Sequence, residues 1–529
     1  MGFVTVGITI ILAMIKFTIM LTPIVIRLNI IGYKQGWIFA VWGAIGGYIS
    51  FSSLYQPDLA TPEILFYSIL GTTLVLGGLM ATNLKFRRYW RNRGDHSDDV
   101  PRQMQSHAPS GFVFGVKNHN YVIKPIENIK IKPTLYEEIF KKQKEINTDG
   151  HVLILGGSGS GKSSCLAIPT LRAWSANVFA IDIKGELYEH TKFHRRKHNI
   201  KVFDPEDINS YGYDPFIFIR AHKNPIEEAI VIAQSIIPEP ANSENPFWVL
   251  NARNLLTSAI LHHYETQSFL DTLKLIQSSS DETLINTIKN SYNEQAQSMV
   301  MGFVGMAEQT LSGITSQMKT YIGVIVNDNI IAPTLSKHDY VIKPQDLEIG
   351  DIYVKIPQSF LNLPQWQKYL TLMTTQFLRA FERRDERLSN TPILFLIDEF
   401  PALGKFPNIT NGLATLRSKR ITICLIIQSL AQLDKTYGQT ESRVICDNCL
   451  YQAILNVSEA NAQETFSRLF GTHEKEGFVP GFSHLWKMEK KEKRRFKPED
   501  FGTLMHNKKL VLLTPYGRFL VDKKPYYEG

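Results

Sequence analysis

The amino-acid sequence predicts an α/β protein with a parallel, doubly wound sheet, a long helical insertion and an apolar N-terminal region. Three observations lead to this prediction. Short apolar runs alternate with helical patterns, one run leads into a glycine-rich turn, and the first 85 residues differ in composition from the rest. Alternating strands and helices imply parallel strands joined by helical crossovers. Because 529 residues are too many for one compact core, two or three folding units are expected.

The composition is that of a globular protein, with 44% hydrophobic and 20% charged residues. A formal net charge of +8 permits a polyanion or an anionic membrane as partner but establishes neither. Four cysteines are too few for a disulfide framework and fit a reducing compartment. Cys446 and Cys449 form a C-x-x-C pair without a second pair or a nearby histidine run. Burial as small apolar residues is therefore favoured over a metal or redox role.

An N-terminal membrane anchor with two or three transmembrane helices is predicted. Residues 3–26, 37–54 and 64–81 are each apolar and long enough to span a bilayer. The basic and aromatic run 85–93 ends the last segment and is typical of a cytoplasmic boundary. Lys16 weakens the first span, because a charge at the bilayer centre is costly. Three spans with the N-terminus outside and two spans with it inside both remain open.

The expected anchor therefore covers residues 1–93, and the polar stretch 94–110 is expected to be a linker. Short β-like runs follow at 111–116 and 121–124. They predict an entry strand or a hairpin before the first buried strand.

Residues 156–163 match the P-loop pattern G-x-x-x-x-G-K-[ST] at every fixed position. A buried strand is predicted before it at 151–155 and a helix after it at 164–174, bent by Pro169. Such a loop turns its backbone N–H groups toward an anion at a helix N-terminus. The residues expected to bind the nucleotide are Gly156, Gly157, Ser158, Gly159, Ser160, Gly161, Lys162, Ser163 and Ser164.

The P-loop predicts ATP and Mg²⁺ as cofactors. Lys162 is expected to pair with the β- and γ-phosphates, and the Ser163 hydroxyl to complete the Mg²⁺ shell. A chance glycine-rich turn is the alternative, which the complete pattern and its flanks disfavour.

Further buried strands are predicted at 176–183 and 199–203. Polar residues at the carboxyl end of such strands face the ligand crevice of an open α/β sheet. The first of these strands ends in the segment 182–187, which begins with Asp182.

The second half of the site is predicted more than two hundred residues later. The apolar run 393–397 ends at Asp398 and Glu399, the form of a Walker B strand. Asp398 is expected to hold Mg²⁺, and Glu399 to orient or deprotonate the attacking water. Gln428 ends the strand predicted at 421–427, where its amide could sense the γ-phosphate or position water. Capping of the next helix is the alternative role for this glutamine.

Several motifs in one order make the chain resemble the type IV secretion coupling proteins, the TraG/TraD-like group. They are the P-loop, DIKGEL at 182–187, NPFW at 245–248, DEFPALG at 398–404, QSLAQL at 428–433 and Tyr437-Gly438. The resemblance covers roughly residues 60–529. By position, Lys162 and Ser163 match the Walker A pair, Asp398 and Glu399 the Walker B pair, and Gln428 the glutamine motif.

This resemblance implies a RecA-like ATPase that assembles as a ring of six on a bacterial inner-membrane anchor. The anchor is expected to be multi-pass, with the ATPase domain in the cytoplasm. Expected partners are type IV secretion channel components and either a relaxase–DNA complex or protein effectors, with DNA bound without sequence specificity.

Arg417 resembles an arginine that reaches the nucleotide of a neighbouring subunit. A guanidinium inserted in this way would stabilise charge on the transferring phosphoryl group. Lys419 and Arg420 flank it, so a solvated basic helix face is an equally good interpretation of the residues.

Two other functions remain open at this point. One is a DNA-translocating ATPase of the FtsK or HerA type that is not linked to secretion. The other is a membrane docking platform that binds ATP without hydrolysing it. The stretches 184–186 and 428–438 favour the coupling protein, and Glu399 argues against a platform without turnover.

The nucleotide-binding domain is predicted in two parts, 111–219 and 336–529, which flank an all-α domain at 220–335. The second part includes a strand at 351–356, a helix at 458–471 and a terminal hairpin. The basic run 487–497 is interpreted as a solvated connector, with nucleic-acid contact as the alternative.

Overall fold

The computed structural model describes residues 100–126, 129–130, 145–146, 149–238, 246–337, 340–384, 391–407, 409–479 and 487–528. All of them belong to the unit Asp99–Gly529. The predicted anchor, residues 1–93, lies outside the described residues. Within the described part of the chain, no helix combines the length and apolar character that a bilayer crossing requires.

Ten of the sixteen strands in the described residues match predicted runs, and six, among them Tyr451–Asn456, have no counterpart among those runs. The sixteen strands are β1 (Gln105–Ser106), β2 (Phe112–Lys117), β3 (Asn120–Lys124), β4 (Ile129–Lys130), β5 (Glu145–Ile146), β6 (Val152–Gly156), β7 (Asn177–Asp182), β8 (Asn199–Phe203), β9 (Gly350–Lys355), β10 (Ile393–Ile397), β11 (Ile421–Ile427), β12 (Tyr451–Asn456), β13 (Thr472–Val479), β14 (Lys487–Arg494), β15 (Lys509–Thr514) and β16 (Gly517–Asp522).

A π-helical turn, Lys162–Ala167, precedes the first α-helix. The α-helices are α1 (Ile168–Ala173), α2 (Glu186–Thr191), α3 (Pro215–Arg220), α4 (Pro225–Ile236), α5 (Phe247–His263), α6 (Phe269–Ser278), α7 (Asp281–Lys289), α8 (Glu294–Val300), α9 (Glu308–Val326), α10 (Ile331–Leu335), α11 (Asp346–Ile349), α12 (Pro364–Glu382), α13 (Ile409–Thr415), α14 (Leu430–Tyr437), α15 (Gln439–Asn448), α16 (Ala460–Phe470) and α17 (Asp500–Thr503).

Twelve strands form one sheet in the order β1-β3-β2-β16-β15-β12-β6-β11-β10-β7-β9-β8. The seven strands from β12 to β8 are parallel, as the sequence predicts for the centre of the fold. The predicted terminal hairpin, β15–β16, joins this sheet antiparallel to β12 and links it to the entry hairpin β2–β3.

The central strands are buried on both faces, and their residues alternate between two cores. Leu153 and Leu155 of β6 contribute to the larger core, and Val152 and Ile154 contribute to the smaller one. Helices cover both faces, which is why these strands are continuous apolar runs in the sequence. The helix after β6 lies on the smaller core and α12 on the larger one.

The helices between β8 and β9 pack into the larger core. Their apolar residues, such as Leu255 of α5 and Ile322 of α9, belong to the same buried cluster as Phe179 of β7 and Phe377 of α12. The helical insertion is therefore anchored on one face of the sheet by a continuous hydrophobic core.

Two stretches differ from the sequence-based interpretation. The basic run at 487–497 is not a connector, because Lys487–Arg494 is a strand that pairs antiparallel with Thr472–Val479. Gln105–Ser106, inside the expected linker 94–110, pairs with β3. Both strands are defined by pairing with another segment rather than by an apolar pattern of their own.

Candidate functional site

The carboxyl ends of four neighbouring parallel strands carry the polar residues of the site. Gly156 ends β6 and Asp182 ends β7, whereas Gln428 follows β11 and Asp398 follows β10. Only β11 separates β6 from β10, so the two strand ends lie about 10 Å apart. The P-loop and the Asp398–Glu399 pair, distant in the sequence, are thus brought to the same edge of the sheet.

The loop after β6 has the backbone geometry that its glycines permit. Gly159 and Gly161 have φ values of 72° and 96°, in the region that favours glycine. A Cβ atom at Gly161 would lie 2.9 Å from the Cys165 sulfur. The following helix begins with a π-helical turn, in which Ile168 N–H donates to the Ser163 carbonyl, just before Pro169. Its N-terminus supplies backbone donors for an anion.

Lys162 lies over this loop and is only 9% exposed. Its ammonium donates to the carbonyl oxygens of Gly156 at 2.7 Å and Gly157 at 3.2 Å. Burial lowers the pKa of Lys162, and the nearby negative charges of Glu399 and Asp398 oppose this shift. The hydroxyl oxygen of Ser160 is buried without a hydrogen-bond partner in the described residues. The loop therefore offers donors and a cation that fit a bound phosphate group.

Asp398 lies in a crowded group of carboxylates. Its N–H donates to the Ile181 carbonyl at 3.3 Å, and its Oδ1 accepts from the Glu399 N–H at 3.0 Å. Burial, with the charges of Glu399 and Asp182, raises the pKa of Asp398 to about 7. A cation at this position would relieve the repulsion.

The donor chemistry fits Mg²⁺ bound together with a nucleotide. Mg²⁺ takes oxygen ligands, keeps several waters and is usually held by one or two carboxylates plus phosphates. Asp398 supplies a carboxylate and Ser163 a hydroxyl next to the phosphate-binding loop. No group of three or more His, Cys, Asp or Glu side chains among the described residues could hold a metal without such help.

Glu399 has a left-handed backbone conformation, with φ 49° and ψ 41°. This conformation is unfavourable for a non-glycine residue, and such strained residues cluster at functional sites. The Gln428 side-chain N–H₂ donates to both Glu399 carboxylate oxygens at 2.9 Å. The capping role for Gln428 is wrong, because the Ser429 side chain caps α14 by accepting from the Gln432 N–H.

Sequence reasoning placed the Asp182 segment at the ligand crevice without giving Asp182 a role, and it did not identify Lys523. Asp182 is 1% exposed, its Oδ2 accepts from the Tyr188 N–H at 2.8 Å, and burial raises its pKa to about 6. A charged residue at the end of an apolar strand was the available signal. Lys523 donates to the carbonyls of Ser160 at 3.0 Å and Leu455 at 3.2 Å. No local pattern predicts that contact, because the two segments are 363 residues apart.

Arg417 is not assembled with the other predicted residues. It precedes β11, whereas Lys162 follows β6, and these strands are parallel. Arg417 therefore lies at the opposite edge of the sheet, where it is exposed and its charge lowers the pKa of His151. This position excludes contact with a nucleotide on the P-loop of the same chain.

Cys446, in the last turn of α15, and Cys449, directly after that helix, are free thiols. Burial raises the pKa of Cys446 to about 12, and Cys449 is 1% exposed. Burial disfavours the thiolate that metal binding requires.

A family model described as Type IV secretory system Conjugative DNA transfer matches residues 116–528. The chain is similar to protein VirD4 of Rhizobium rhizogenes, with 23% identity over 396 residues, 71% of this chain and 58% of the relative. It is also similar to conjugal transfer protein TraG of Escherichia coli, with 24% identity over 359 residues, 62% of this chain and 56% of the relative. The chain thus spans less than two-thirds of the length of these relatives.

Two solved structures share the fold. One is the conjugative coupling protein TrwBdeltaN70 in its unbound monoclinic form, and the other is plasmid coupling protein TrwB in complex with ADP and Mg²⁺. Each has a TM-score of 0.57 and 18% identity, and the match covers 71% of this chain and 85% of the solved chain. The α/β fold class predicted from the sequence is confirmed.

Proposed function

This chain belongs to the type IV secretory system family of conjugative DNA transfer proteins, and from that premise we propose that it is an ATPase coupling cargo to a type IV secretion channel. The cargo is DNA with its relaxase, or protein effectors. The observation that carries the proposal is the meeting of the P-loop and the Asp398–Glu399 pair at one sheet edge. Coupling proteins of this kind need an energy source, and the edge has the residues for nucleotide hydrolysis.

The proposed reaction is attack of water on the γ-phosphate of ATP. The backbone N–H groups of 156–164 and the Lys162 ammonium bind the phosphates. Ser163 and Asp398 would hold Mg²⁺, which would neutralise negative charge on the phosphates. Glu399 orients the water and accepts its proton, and Gln428 fixes the Glu399 carboxylate. The complex of the related TrwB with ADP and Mg²⁺ supports this choice of ligands.

A ring of six subunits, with the nucleotide between neighbours, gives Arg417 a role. Because this arginine lies at the sheet edge opposite its own P-loop, it can contact only the nucleotide of another subunit. Mixing Arg417→Ala with Glu399→Gln subunits should restore part of the ATPase activity, because some interfaces then contain both wild-type residues. Absence of restoration at every mixing ratio would reject the role in trans.

The proposed location is the bacterial inner membrane. Residues 1–93 supply a multi-pass anchor, and the ATPase domain lies in the cytoplasm beside the channel. The apolar segments and the basic run 85–93 support this proposal. The family match favours conjugative transfer over a DNA pump unrelated to secretion.

Cargo transfer between cells tests the proposed function. In a strain lacking the wild-type gene, Lys162→Ala should reduce transfer at least a hundredfold while the protein remains in the membrane fraction. Lys192→Ala, which removes a half-buried lysine directly after α2 whose ion pair is with Glu189, is the matched control and should transfer normally. Transfer at the wild-type rate with Lys162→Ala would reject the motor role.

A further inference from the structure

Residues 183–185, called here the Lys184 turn, connect strand β7 to helix α2. The function proposed above gives this turn no role. Because β6, β11, β10 and β7 are parallel, the turn lies at the same sheet edge as the P-loop. Gly185 has a φ of 75°, in the region that favours glycine, and a Cβ atom there would lie 3.2 Å from Cε of Lys355. The backbone therefore reverses tightly at this edge.

Asp182, the last residue of β7, fixes the Lys184 turn. Its Oδ2 accepts from the Tyr188 N–H at 2.8 Å. Burial raises the pKa of Asp182, and backbone hydrogen bonds, among them one from Gly185, oppose this rise. Ile183 is buried in the larger core, whereas Lys184 is exposed. The turn thus directs the Lys184 side chain out of the core at the sheet edge.

Helix α2 brings the Lys184 turn beside the phosphate-binding loop. It packs against the π-helical turn that begins at Lys162 and against α1. Arg172 of α1 donates from Nε to the His190 carbonyl at 3.1 Å. Burial lowers the pKa of Lys162, and the positive charge of Lys184 lowers it further. The two ammonium groups are therefore near enough to repel each other.

Lys184 has neither a hydrogen bond nor an ion pair with any other residue that the structure describes. The neighbouring Lys355 differs, because its ammonium pairs with Asp204 at 2.7 Å and lies 5.7 Å from the centre of the Tyr188 ring. Lys184 is thus the cation of this turn that is available to a ligand. An anion bound between Lys162 and Lys184 would relieve their repulsion.

The order of the strands indicates which phosphate of a nucleotide lies nearest to Lys184. The P-loop follows β6, the Asp398–Glu399 pair follows β10 and Lys184 follows β7, in the spatial order β6-β11-β10-β7. In the proposed reaction the terminal phosphate is directed from the P-loop toward Glu399, which orients the attacking water. Because β7 lies beyond β10 in this order, the terminal phosphate is the one that Lys184 can reach.

We propose that Lys184 binds the γ-phosphate of ATP in its own subunit and so distinguishes a triphosphate from a diphosphate. This inference rests on the proposed function, in which ATP binds at this edge. The carboxylates of Asp182, Asp398 and Glu399 lie at the same edge and would repel the phosphate chain. Lys184 supplies a second ammonium that offsets this repulsion, and it loses its phosphate partner when the γ-phosphate leaves.

Equilibrium binding of ADP and of a non-hydrolysable ATP analogue to the full-length protein, both with Mg²⁺, tests the proposal. Lys184→Gln should weaken binding of the analogue by about ten- to a hundredfold, because a hydrogen bond to a charged group is lost. The affinity of this variant for ADP should stay within about twofold of the wild-type value. Lys184→Arg keeps the charge and should retain the preference for the analogue.

Lys197→Gln is the matched control. It removes the same charge from an exposed position just before β8, at the opposite edge of the sheet. This variant should bind both nucleotides as the wild type does. Weaker binding of the analogue in Lys197→Gln equal to that in Lys184→Gln would assign the effect to net charge and overturn the proposal.

The remaining outcomes separate this inference from the proposed function. Equal weakening of ADP and of the analogue in Lys184→Gln would mean that the lysine supports the loop without contacting the γ-phosphate. Unchanged binding of both nucleotides would mean that it contacts neither. Each result would overturn the inference, and phosphate release by the wild type would leave the ATPase proposal standing. Failure of the wild type to bind either nucleotide would overturn both.

Discussion

Gln428 and Glu399 are joined by two hydrogen bonds of 2.9 Å, in which one amide nitrogen donates to both carboxylate oxygens. The two residues follow adjacent strands, β11 and β10, and Glu399 has a left-handed backbone. The amide therefore restricts the carboxylate to one orientation at the edge where the P-loop begins.

Gln428→Leu is predicted to reduce kcat for ATP hydrolysis by about 10- to 100-fold, because an unoriented carboxylate is a weaker general base. The KM for ATP should change little, since Gln428 does not bind Lys162 or the loop. Phosphate release at several ATP concentrations measures both constants. Gln439→Leu, at an exposed position on α15, is the control. Wild-type kcat in Gln428→Leu would contradict a positioning role.

Lys523 is predicted to stabilise the phosphate-binding loop from outside it. Its ammonium bridges the carbonyls of Ser160 and Leu455, and the Tyr526 N–H donates to the Ser164 carbonyl at 2.9 Å. A hydrogen bond from a charged group contributes about 1.5–3 kcal/mol, so Lys523→Met should raise the KM for ATP roughly tenfold or more.

The neighbouring Lys524 provides a matched control, because its ammonium bonds to the Tyr121 hydroxyl at 2.9 Å and not to the loop. Lys524→Met should retain the wild-type KM. If Lys523→Met also retains the wild-type KM for ATP, the loop keeps its shape without Lys523.

The Arg195–Asp351 pair is predicted to be a structural contact that supports the sheet. Arg195 Nε lies 2.6 Å from Asp351 Oδ2, Asp351 also accepts from the Val178 N–H at 2.9 Å, and both side chains are at most 2% exposed. Arg195→Met leaves the buried Asp351 carboxylate without its arginine partner and should lower the free energy of unfolding by about 3–5 kcal/mol. Urea denaturation measures this loss. Arg196→Met, at the exposed neighbouring position, should change stability by less than about 0.5 kcal/mol.

His151 is predicted to make the fold sensitive to acid. Burial, with the nearby charges of Lys124 and Arg417, lowers the pKa of His151 to about 3, although its bond to the Leu413 carbonyl opposes the shift. The unfolded chain binds this proton below about pH 6.5, and the folded chain binds it only near pH 3. The contribution of neutral His151 to the free energy of unfolding is therefore fully present above pH 6.5 and is lost as the pH decreases toward 3.

Lowering the pH from 7.5 to 5 should reduce the free energy of unfolding by roughly 2 kcal/mol, because His151 becomes protonated in the unfolded chain only. Urea denaturation at both pH values should show this loss in the wild type and in the exposed control His107→Gln. The loss should be smaller by that amount in His151→Gln. A pH dependence that is identical in all three proteins would contradict the buried neutral histidine.

Much of the fold follows from local sequence patterns. The predicted strands 199–203 and 421–427 have the same bounds in the structure. The second is an apolar run buried on both faces, which ends where polar residues reach the sheet edge. Strand β14 was missed because its charges alternate without an apolar face, so only its pairing with β13 defines it.

The candidate site also contains some residues that local sequence motifs identify and others that only the folded structure brings together. Lys162, Asp398 and Glu399 belong to motifs whose chemistry requires fixed neighbours, so the sequence reveals them. Asp182 lies in a recognised segment, but its proximity to Asp398 results from the pairing of β7 with β10. The contact of Lys523 with Ser160 depends on the terminal hairpin joining the sheet beside β12, which no short pattern specifies.

The most direct test of the central claim compares Mg²⁺–ATP binding and phosphate release in the wild type, Lys162→Ala and Glu399→Gln. If both strand ends act on one nucleotide, Lys162→Ala should lose binding and turnover together. Glu399→Gln should bind ATP with wild-type affinity and release phosphate at least about a hundredfold more slowly. Wild-type phosphate release by either variant would contradict the claim.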